Sequence, residues 1–327
     1  MVIKNEQESG DCMDRVNIIM ATYNGEKYLK QQINSILGNT YTNWRLLICD
    51  DGSTDSTISI IEEYVRNNPN KIILHKNEKN KGVTINFLEG VKRIASFNDN
   101  VIGHEYYMFC DQDDVWMEEK IEKTLKLVKK CEKKYTNQVP IVAFTDVLVV
   151  DENLNEISSS FFQSNGLNPR NTSINQIMME NKLIGCSIMF NASLVEKLNI
   201  LPRKARFHDW WVGCIASTFG HICFLNEPTI LYRQHGGNVV GNKNFSGYVK
   251  KSLLTLKEQK VALNKTIQQA KEFYDIYEKN INYPAKRNIF LFSTLNQYSW
   301  IKRRYLILTK GFLKTGVLRN IGLLIII

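Results

Sequence analysis

From Val16 onward, short apolar runs alternate with longer amphipathic segments. The apolar runs predict strands at residues 16–20, 44–49, 71–75 and 104–110. The amphipathic segments predict helices at residues 26–37, 54–65, 83–94 and 117–131. Strands that alternate with helices of this length are typical of βαβ units and a parallel sheet.

Four polar loops are predicted to meet at one edge of this sheet. Right-handed crossovers place the carboxyl ends of parallel strands along the edge where open α/β sheets bind ligands. The loops there are residues 21–25, 50–55, 77–82 and 111–114. Because three of them are rich in acid or amide groups, this edge is the candidate binding site.

The pattern after Pro140 is less regular. Residues 141–150 predict another buried strand, and residues 151–181 are polar and loop-rich. Two short strands are predicted at residues 222–225 and 229–232. A charged helix is predicted from residue 248 to about residue 279.

Three carboxylates follow the strand at residues 104–110 within four positions, namely Asp111, Asp113 and Asp114. Acidic groups crowded in this way repel one another unless a cation lies among them. Mg²⁺ is commonly shared between one or two protein carboxylates and a substrate's phosphates. The segment therefore predicts a metal-bridged phosphate substrate, although a solvated turn after a strand has the same pattern.

The net charge of +9 is concentrated near the C-terminus. Residues 245–327 carry +11, and residues 1–244 carry −2. The longest uncharged stretch there, residues 288–301, has 14 residues, whereas a spanning helix needs about 20. Basic residues interleaved with aromatic ones favour an anionic membrane surface, and a helical subdomain packed on the core is the alternative. Because no nucleic-acid-binding module is recognisable, nucleic acid is not an expected partner.

The seven cysteines are scattered, odd in number and without a CxxC pair. This spacing argues against a disulfide framework or a zinc site, and it favours a reducing cytosol. The first 15 residues have no apolar core, so they are not predicted to form a secretory signal.

Six segments together resemble one family. ATYNGEKYLKQQINSIL, LLICDDGSTDSTISII, NKGVTINF, FCDQDDVW, HDWW and YRQHGGN occur in the order and rough spacing of inverting family-2 glycosyltransferases with the GT-A fold. The DQDDVW form, GCSIMFN and the RQHGGN ending look most like bacterial rhamnosyltransferases of surface-polysaccharide synthesis. The resemblance covers about residues 16–242.

The resemblance implies a nucleotide-sugar site at the loop edge. The residues expected to contact the donor nucleotide are Thr22, Tyr23, Asn24, Asp50, Asp51, Lys81, Asp111 and Gln112. One carboxylate of the Asp50–Asp51 pair is explained by capping the following helix. The second carboxylate is not needed as a helix cap, and a carboxylate is a suitable acceptor for the N3–H donor of uracil or thymine.

The resemblance also implies a metal site and a base. Asp113 is expected to bind Mn²⁺ or Mg²⁺ directly, with Asp111 near the ribose and the metal, and His235 as a third ligand. Asp209 is expected to be the general base, in a segment where His208 replaces the family's common Glu. Neighbouring indoles are expected to raise its pKa toward useful basicity.

The predicted fold is α/β: a GT-A, Rossmann-like, mostly parallel central sheet flanked by helices, with a C-terminal helical basic extension. The predicted parts are an N-terminal tail (1–14), a catalytic domain (15–244) and a membrane-associating extension (245–327). The predicted activity moves a sugar from dTDP-rhamnose or a UDP-sugar onto a lipid-linked glycan. The predicted location is the cytoplasmic face of the cell membrane, as a peripheral protein.

Three other functions fit the sequence less well. A sugar-phosphate nucleotidyltransferase has a Gly-rich first loop with a basic residue, which ATYNGEKYLK lacks. A processive synthase needs a membrane bundle and a Gln-x-x-Arg-Trp motif, and neither is present in the sequence. A catalytically inactive nucleotide-sugar or glycan-binding module stays open, although Asp113, Asp209 and His235 argue against it.

Overall fold

One mixed sheet forms the centre of the molecule. The computed structural model describes residues 14–97, 103–236 and 256–327. Nine strands are found in these ranges: β1 Arg15–Thr22, β2 Trp44–Asp50, β3 Ile72–Lys76, β4 Glu105–Cys110, β5 Val115–Trp116, β6 Ile141–Val150, β7 Glu156–Ser158, β8 Ile188–Asn191 and β9 His221–Arg233. Their spatial order is β3-β2-β1-β4-β8-β6-β9-β5, with β7 paired to β6.

Most of the strands run in one direction, as predicted. The pairs β1–β2, β1–β4, β2–β3 and β6–β9 are parallel. β8 is antiparallel to both β4 and β6, so β6 and β9 run in the same direction as β1. The carboxyl ends of β1, β2, β4 and β9 therefore share one edge, where their loops meet.

Twelve α-helices surround this sheet or follow it in the described ranges. They are α1 Leu29–Leu37, α2 Thr57–Asn67, α3 Val83–Ala95, α4 Lys120–Tyr135, α5 Phe161–Ser164, α6 Ile174–Met179, α7 Ala192–Val195, α8 His208–Phe219, α9 Leu256–Tyr277, α10 Ala285–Ser293, α11 Trp300–Lys310 and α12 Val317–Ile326. Of the helix predicted from residue 248, residues 248–255 lie outside the described residues.

The core lies between the sheet and the flanking helices. Every residue of β2 is buried, as expected for a strand covered on both faces. α3 approaches the sheet closely at Gly90, where a Cβ would lie 2.6 Å from Cγ2 of Ile19 and 3.1 Å from Sγ of Cys49. A larger residue at position 90 would therefore push α3 away from β1 and β2.

The first two helices begin later than the sequence pattern predicts, because their leading residues bond to each other. Thr54 N–H donates to Asn24 Oδ1 at 2.8 Å, and Ser56 N–H donates to Glu26 Oε2 at 2.8 Å. Asp55 accepts from the backbone of Glu26 at 3.2 Å. The two loops thus form one cross-braced unit, and α1 and α2 start after it.

The C-terminal part of the sheet differs from the prediction. The two short strands expected at residues 222–225 and 229–232 are a single strand, β9, whose register with β6 shifts around Asp146. β5 was not predicted; it pairs with β9 directly after the acidic cluster. The region expected to be loop-rich contains β7, α5 and α6.

One disulfide is present, although the cysteine spacing argued against a disulfide framework. Cys131 in α4 and Cys223 in β9 form a disulfide across 92 residues. Neither has a nearby cysteine in the sequence, so the spacing carried no signal for this pair. Cys12 lies outside the described residues.

The C-terminal helices α9–α12 pack against the body of the molecule. Phe273 of α9 contacts the ring of Trp211 edge-on, with centroids 5.3 Å apart, and Tyr277 donates to the carbonyl of Lys197 at 2.6 Å. Among the described ranges, none of the helices combines the length and the apolar character that crossing a bilayer requires.

Candidate active site

The loop after β1 is held by the side chain of Gln112. Tyr23 N–H donates to Oε1 of Gln112 at 2.9 Å, and Nε2 of Gln112 donates to the Tyr23 carbonyl at 3.1 Å. A Cβ at position 25 would lie 2.3 Å from that Oε1, so a larger residue there would displace the Gln112 amide from this loop. The Tyr23 ring is about half exposed at 49%, which leaves it available as a wall of the site. The predicted contact of Gln112 with the nucleotide stays a prediction, since its amide already holds this loop.

Asp50 is saturated by its own loop. Its carboxylate accepts from Thr22 Oγ1 at 2.8 Å, from Gly52 N–H at 3.1 Å, and from the amide and hydroxyl of Ser53 at 2.9 and 2.6 Å. A carboxylate has about four lone-pair sites, and all of them are used. Asp50 is therefore the structural member of the predicted pair.

Asp51 retains accepting capacity. Oδ1 accepts from Asn77 Nδ2 and from Lys81 N–H, both at 2.9 Å, while Oδ2 accepts from Gly82 N–H at 2.8 Å. These bonds attach the third loop to the end of β2. Because Oδ2 accepts one bond, it has room for another donor.

The side chain of Lys81 is paired within the protein. Its Nζ lies 2.5 Å from Oε2 of Glu89, and both side chains are partly exposed. The predicted contact of Lys81 with the ribose or phosphate stays a prediction, and it requires this ion pair to open. The backbone of Lys81 contributes through Asp51.

Asp113 and His235 are brought together from positions 122 residues apart. His235 Nε2 lies 2.8 Å from Oδ2 of Asp113, and each side chain is 17% exposed. The ring of His235 also packs on Tyr28, with centroids 4.9 Å apart. Two of the three predicted metal ligands therefore form a partly exposed pair at the loop edge.

Arg233 makes this convergence possible, and it was missed as a functional residue. Its backbone N–H donates to Oδ1 of Asp114 at 3.0 Å, and its Nε donates to the carbonyl of Asp113 at 2.7 Å. The guanidinium also reaches the carbonyl of Glu152 and Oε1 of Gln31. Its side chain is 1% exposed. A charged residue ending an apolar strand, two positions before His235, was the available signal.

A largely buried cluster of acidic groups lies close to this pair. Oxygen atoms of Asp111 and Asp114 and the sulfur of Cys186 all lie within 4.8 Å of one another. Burial, then the charges of Asp113 and Asp209, raises the pKa of Asp111 to about 7. Burial and its acidic neighbours raise the pKa of Asp114 well above its usual range. The site therefore disfavours full ionisation of its carboxylates unless a cation is nearby.

The donor set formed by Asp113, His235 and Asp111 fits a divalent cation. Asp113 and His235, with Asp111 close to Asp113, offer carboxylate oxygens and an imidazole, which suit Mn²⁺ or Mg²⁺. The deeper Asp111–Asp114–Cys186 group fits less well. Burial raises the pKa of the Cys186 thiol, and a protonated thiol is a poor ligand.

Asp209 lies in the first turn of α8 and is 8% exposed. Burial raises its pKa from 3.8 to about 6, although hydrogen bonds from Asn181 and from the backbone of Trp210 and Gly185 partly oppose that shift. A carboxylate with this pKa is suited to accept a proton near neutral pH. Its charge acts on Asp111, so the two acids belong to one site.

His208 is a core residue. Its ring stacks on Phe87 with centroids 4.0 Å apart and meets Phe109 edge-on at 4.6 Å. Burial lowers its pKa to about 3, so the ring is neutral. Gly185 is needed beside it, because a Cβ there would lie 2.8 Å from Nε2. His208 thus shapes the packing under Asp209 and carries no charge into the site.

The fold and this site define an α/β protein with a carboxylate-rich loop edge and a buried carboxylate, Asp209, in the same site. Such an arrangement is expected for nucleotide-sugar chemistry. Residues 17–192 match the family model "Glycosyl transferase family 2". The chain belongs to this family, and it is a glycosyltransferase.

Two relatives resemble this chain in sequence. "dTDP-rhamnosyl transferase RfbG" of Shigella flexneri is 30% identical over 235 residues, which cover 68% of this chain and 73% of RfbG. The "UDP-Glc:alpha-D-GlcNAc-diphosphoundecaprenol beta-1,3-glucosyltransferase WfgD" of Escherichia coli is 34% identical over 115 residues. That match spans 35% of this chain and 41% of WfgD.

Solved structures share the fold. S. aureus TarS 1–349 in complex with UDP-GlcNAc aligns with a TM-score of 0.52 at 15% identity, covering 91% of this chain and 88% of that one. The mannosyltransferase PcManGT from Pyrobaculum calidifontis, in complex with GDP-Man and Mn²⁺, aligns at 0.50 and 14% identity, covering 91% and 73%. At these identities the likeness confirms the predicted GT-A fold and no more.

Proposed function

We propose that this protein is a metal-dependent, inverting glycosyltransferase that uses dTDP-rhamnose or a UDP-sugar. The observation that carries the proposal is the Asp113–His235 contact at the loop edge, with Asp209 buried in the same site. The names of RfbG and WfgD support a dTDP- or UDP-linked donor. WfgD also supports a lipid diphosphate-linked glycan as the acceptor.

The reaction is a single displacement. Ionised Asp209 takes the proton of an acceptor hydroxyl, whose oxygen bonds to the anomeric carbon from the face opposite the leaving group. The bond between that carbon and the nucleotide diphosphate breaks, and the configuration inverts. Asp113, His235 and Asp111 would hold a divalent cation, which when bound would supply Lewis-acid stabilisation of the departing diphosphate.

Two further groups select and hold the donor. Oδ2 of Asp51 accepts the N3–H of uracil or thymine, and the exposed ring of Tyr23 forms a wall of the nucleobase pocket. This arrangement favours both nucleotides over cytosine, whose N3 accepts a hydrogen bond and cannot donate one to a carboxylate.

A thermal-shift screen tests the donor. The protein is heated with dTDP-rhamnose, UDP-glucose or GDP-mannose, each with and without Mn²⁺ or Mg²⁺. A dTDP- or UDP-sugar is expected to raise the melting temperature only when metal is present. Equal stabilisation with EDTA would contradict metal dependence. Stabilisation by GDP-mannose alone would contradict the base selection.

We also propose peripheral binding to the anionic cytoplasmic face of the cell membrane. Large apolar residues recur along one side of α11 and one side of α12, and each is at least half exposed. They are Trp300, Ile301, Tyr305, Leu308, Val317, Leu318, Ile321 and Ile325. Four basic residues of α11, Lys302, Arg303, Arg304 and Lys310, accompany them. Such a combination suits the interface of an anionic bilayer, which is where a lipid-linked acceptor lies.

A further inference from the structure

The segment that contains Asn181 packs against the start of α8, since a Cβ at Gly185 would lie 3.6 Å from the Cβ of Asp209. Leu183 N–H donates to Oδ1 of Asn181 at 3.1 Å. The carbonyl end of the amide is therefore occupied, which leaves the NH₂ end for the interaction by which Asn181 lowers the pKa of Asp209. A donor aimed at a carboxylate fixes its rotamer and stabilises its ionised form.

The residue before Asn181 is held by the C-terminal helices. Thr315 N–H donates to Oε2 of Glu180 at 2.8 Å, and Nη1 of Arg319 lies 3.3 Å from Oε1. Arg319 also donates to the carbonyl of Asn165. Glu180 and Arg319 are 14% and 15% exposed, so this ion pair is screened little by water.

The residue after Asn181 is held by the same segment. Lys182 is 1% exposed, and its ammonium donates to Glu180 and to the hydroxyl of Thr315. Removing one partner of a buried charged pair leaves the other charge uncompensated, which is strongly unfavourable.

The connection between α11 and α12 that provides Thr315 is itself braced. Lys314 N–H donates to Oδ1 of Asn320 at 2.8 Å, and Nδ2 of Asn320 donates to the carbonyls of Lys314 and Gly316, both at 2.8 Å. The turn therefore presents Thr315 in a defined position relative to α12.

We propose that Asn181 is a positioning residue for Asp209, and that the C-terminal helices hold it in place through Glu180 and Lys182. The proposal rests on the proposed role of Asp209 as the base. The helices with the exposed apolar faces thereby also support the catalytic carboxylate.

The first test is Asn181→Ala, alone and combined with Asp209→Asn. Turnover is measured as dTDP or UDP release from dTDP-rhamnose or UDP-glucose, with a polyprenyl diphosphate-linked glycan and Mn²⁺. Asn181→Ala is expected to lower kcat about tenfold or more, the scale of one hydrogen bond to a charged group, with little change in donor KM. In the Asp209→Asn background it is expected to have little further effect.

The second test compares substitutions in the C-terminal helices. Arg319→Ala is expected to lower kcat about threefold or more with donor KM retained, and Arg319→Lys to restore most of the loss. The matched control is Asn175→Ala in α6. Its Nδ2 donates across the same interface to the carbonyl of Lys310 at 2.7 Å, but Asn175 does not flank Asn181. Asn175→Ala is expected to lower the melting temperature while leaving kcat near normal.

The outcomes separate the two proposals. Normal turnover of Asp209→Asn would overturn the base and, with it, this inference. An impaired Asp209→Asn with a normal Asn181→Ala would overturn the positioning role alone, as would an equal Asn181→Ala effect in both backgrounds. If Asn181→Ala does not fold, the kcat values of Arg319→Ala and Arg319→Lys, compared with that of Asn175→Ala, decide. Equal kcat losses in Arg319→Ala and Asn175→Ala would show general loosening of the interface and refute the proposal.

Discussion

The loop edge of the sheet and the C-terminal helices contrast in how their functional residues are encoded. At the loop edge, chemically informative side chains occur in short runs, such as Asp111 to Asp114. In the C-terminal helices, the important contacts are made by Thr315 and Arg319, which stand in no recognisable motif. The first region displays its chemistry locally, whereas the second acts through packing against residues more than a hundred positions away.

The largest expected effect isolates the loop edge. Asp113→Ala removes both the carboxylate and the partner of His235, so metal-dependent binding of the donor is expected to be lost. Calorimetry with dTDP-rhamnose or UDP-glucose, with and without Mn²⁺, measures the donor affinity. Glu118→Ala, an exposed acid on the turn before α4, is the control and should bind normally. Unchanged affinity of Asp113→Ala would remove this region from the metal site.

Asp209→Asn tests the buried carboxylate of α8. Asp209 lies close to the acids of the loop edge and beside the segment that the C-terminal helices hold. Turnover is expected to fall by at least ~10²-fold, the scale of a general base, while donor affinity is retained. Steady-state kinetics with parallel calorimetry separates the two quantities. A loss of donor affinity equal to the loss of turnover would instead place Asp209 in the donor site.

The membrane proposal concerns the exposed faces of the C-terminal helices. Deletion of residues 283–327 would not isolate this surface, because it would also remove Thr315 and Arg319 from Glu180. The sharper variant is Ile301→Ser with Leu318→Ser, because both side chains are more than 70% exposed. Co-sedimentation with anionic vesicles is expected to fall about tenfold or more. Melting temperature should be unchanged, and undiminished co-sedimentation would contradict the proposed surface.

The pH dependence of turnover reports on Asp209. Burial raises its pKa to about 6, and a general base acts in its ionised form, so activity is lost as pH falls through this value. Below about pH 6, kcat is expected to decrease about tenfold per pH unit. Measurement of kcat from pH 5 to 8 tests this decrease, which should be absent in Asp209→Asn. Constant kcat down to pH 5 would contradict the assignment.

The smallest effects distinguish two residues within the loop edge. Asp51→Asn presents an amide where three N–H groups converge, so the free energy of unfolding is expected to fall by about 1–3 kcal/mol. Lys81→Met removes a partly exposed ion pair, and a change below about 1 kcal/mol is expected. Chemical denaturation measures both values. A larger loss of unfolding free energy for Lys81→Met than for Asp51→Asn would contradict this prediction.

Much of the loop edge was predictable because strands and their following loops obey local rules. The apolar runs located β1 to β4 to within two residues, and the direction of parallel strands then placed their loops together. Asp50 and Asp51 could not be told apart from the sequence, because their difference depends on how many donors surround each carboxylate. Arg233 was missed for a similar reason, since its role arises from four acceptors that converge on it.

By itself, the sequence determined the βαβ alternation, the family and the set of acids from which the site is built. These follow from periodicity and from motifs whose members lie close together in the chain. Only the tertiary structure decided that Cys131 pairs with Cys223, that His235 meets Asp113, and that the C-terminal helices bind Glu180. Such contacts join residues far apart in sequence, and their formation depends on packing that no local pattern records.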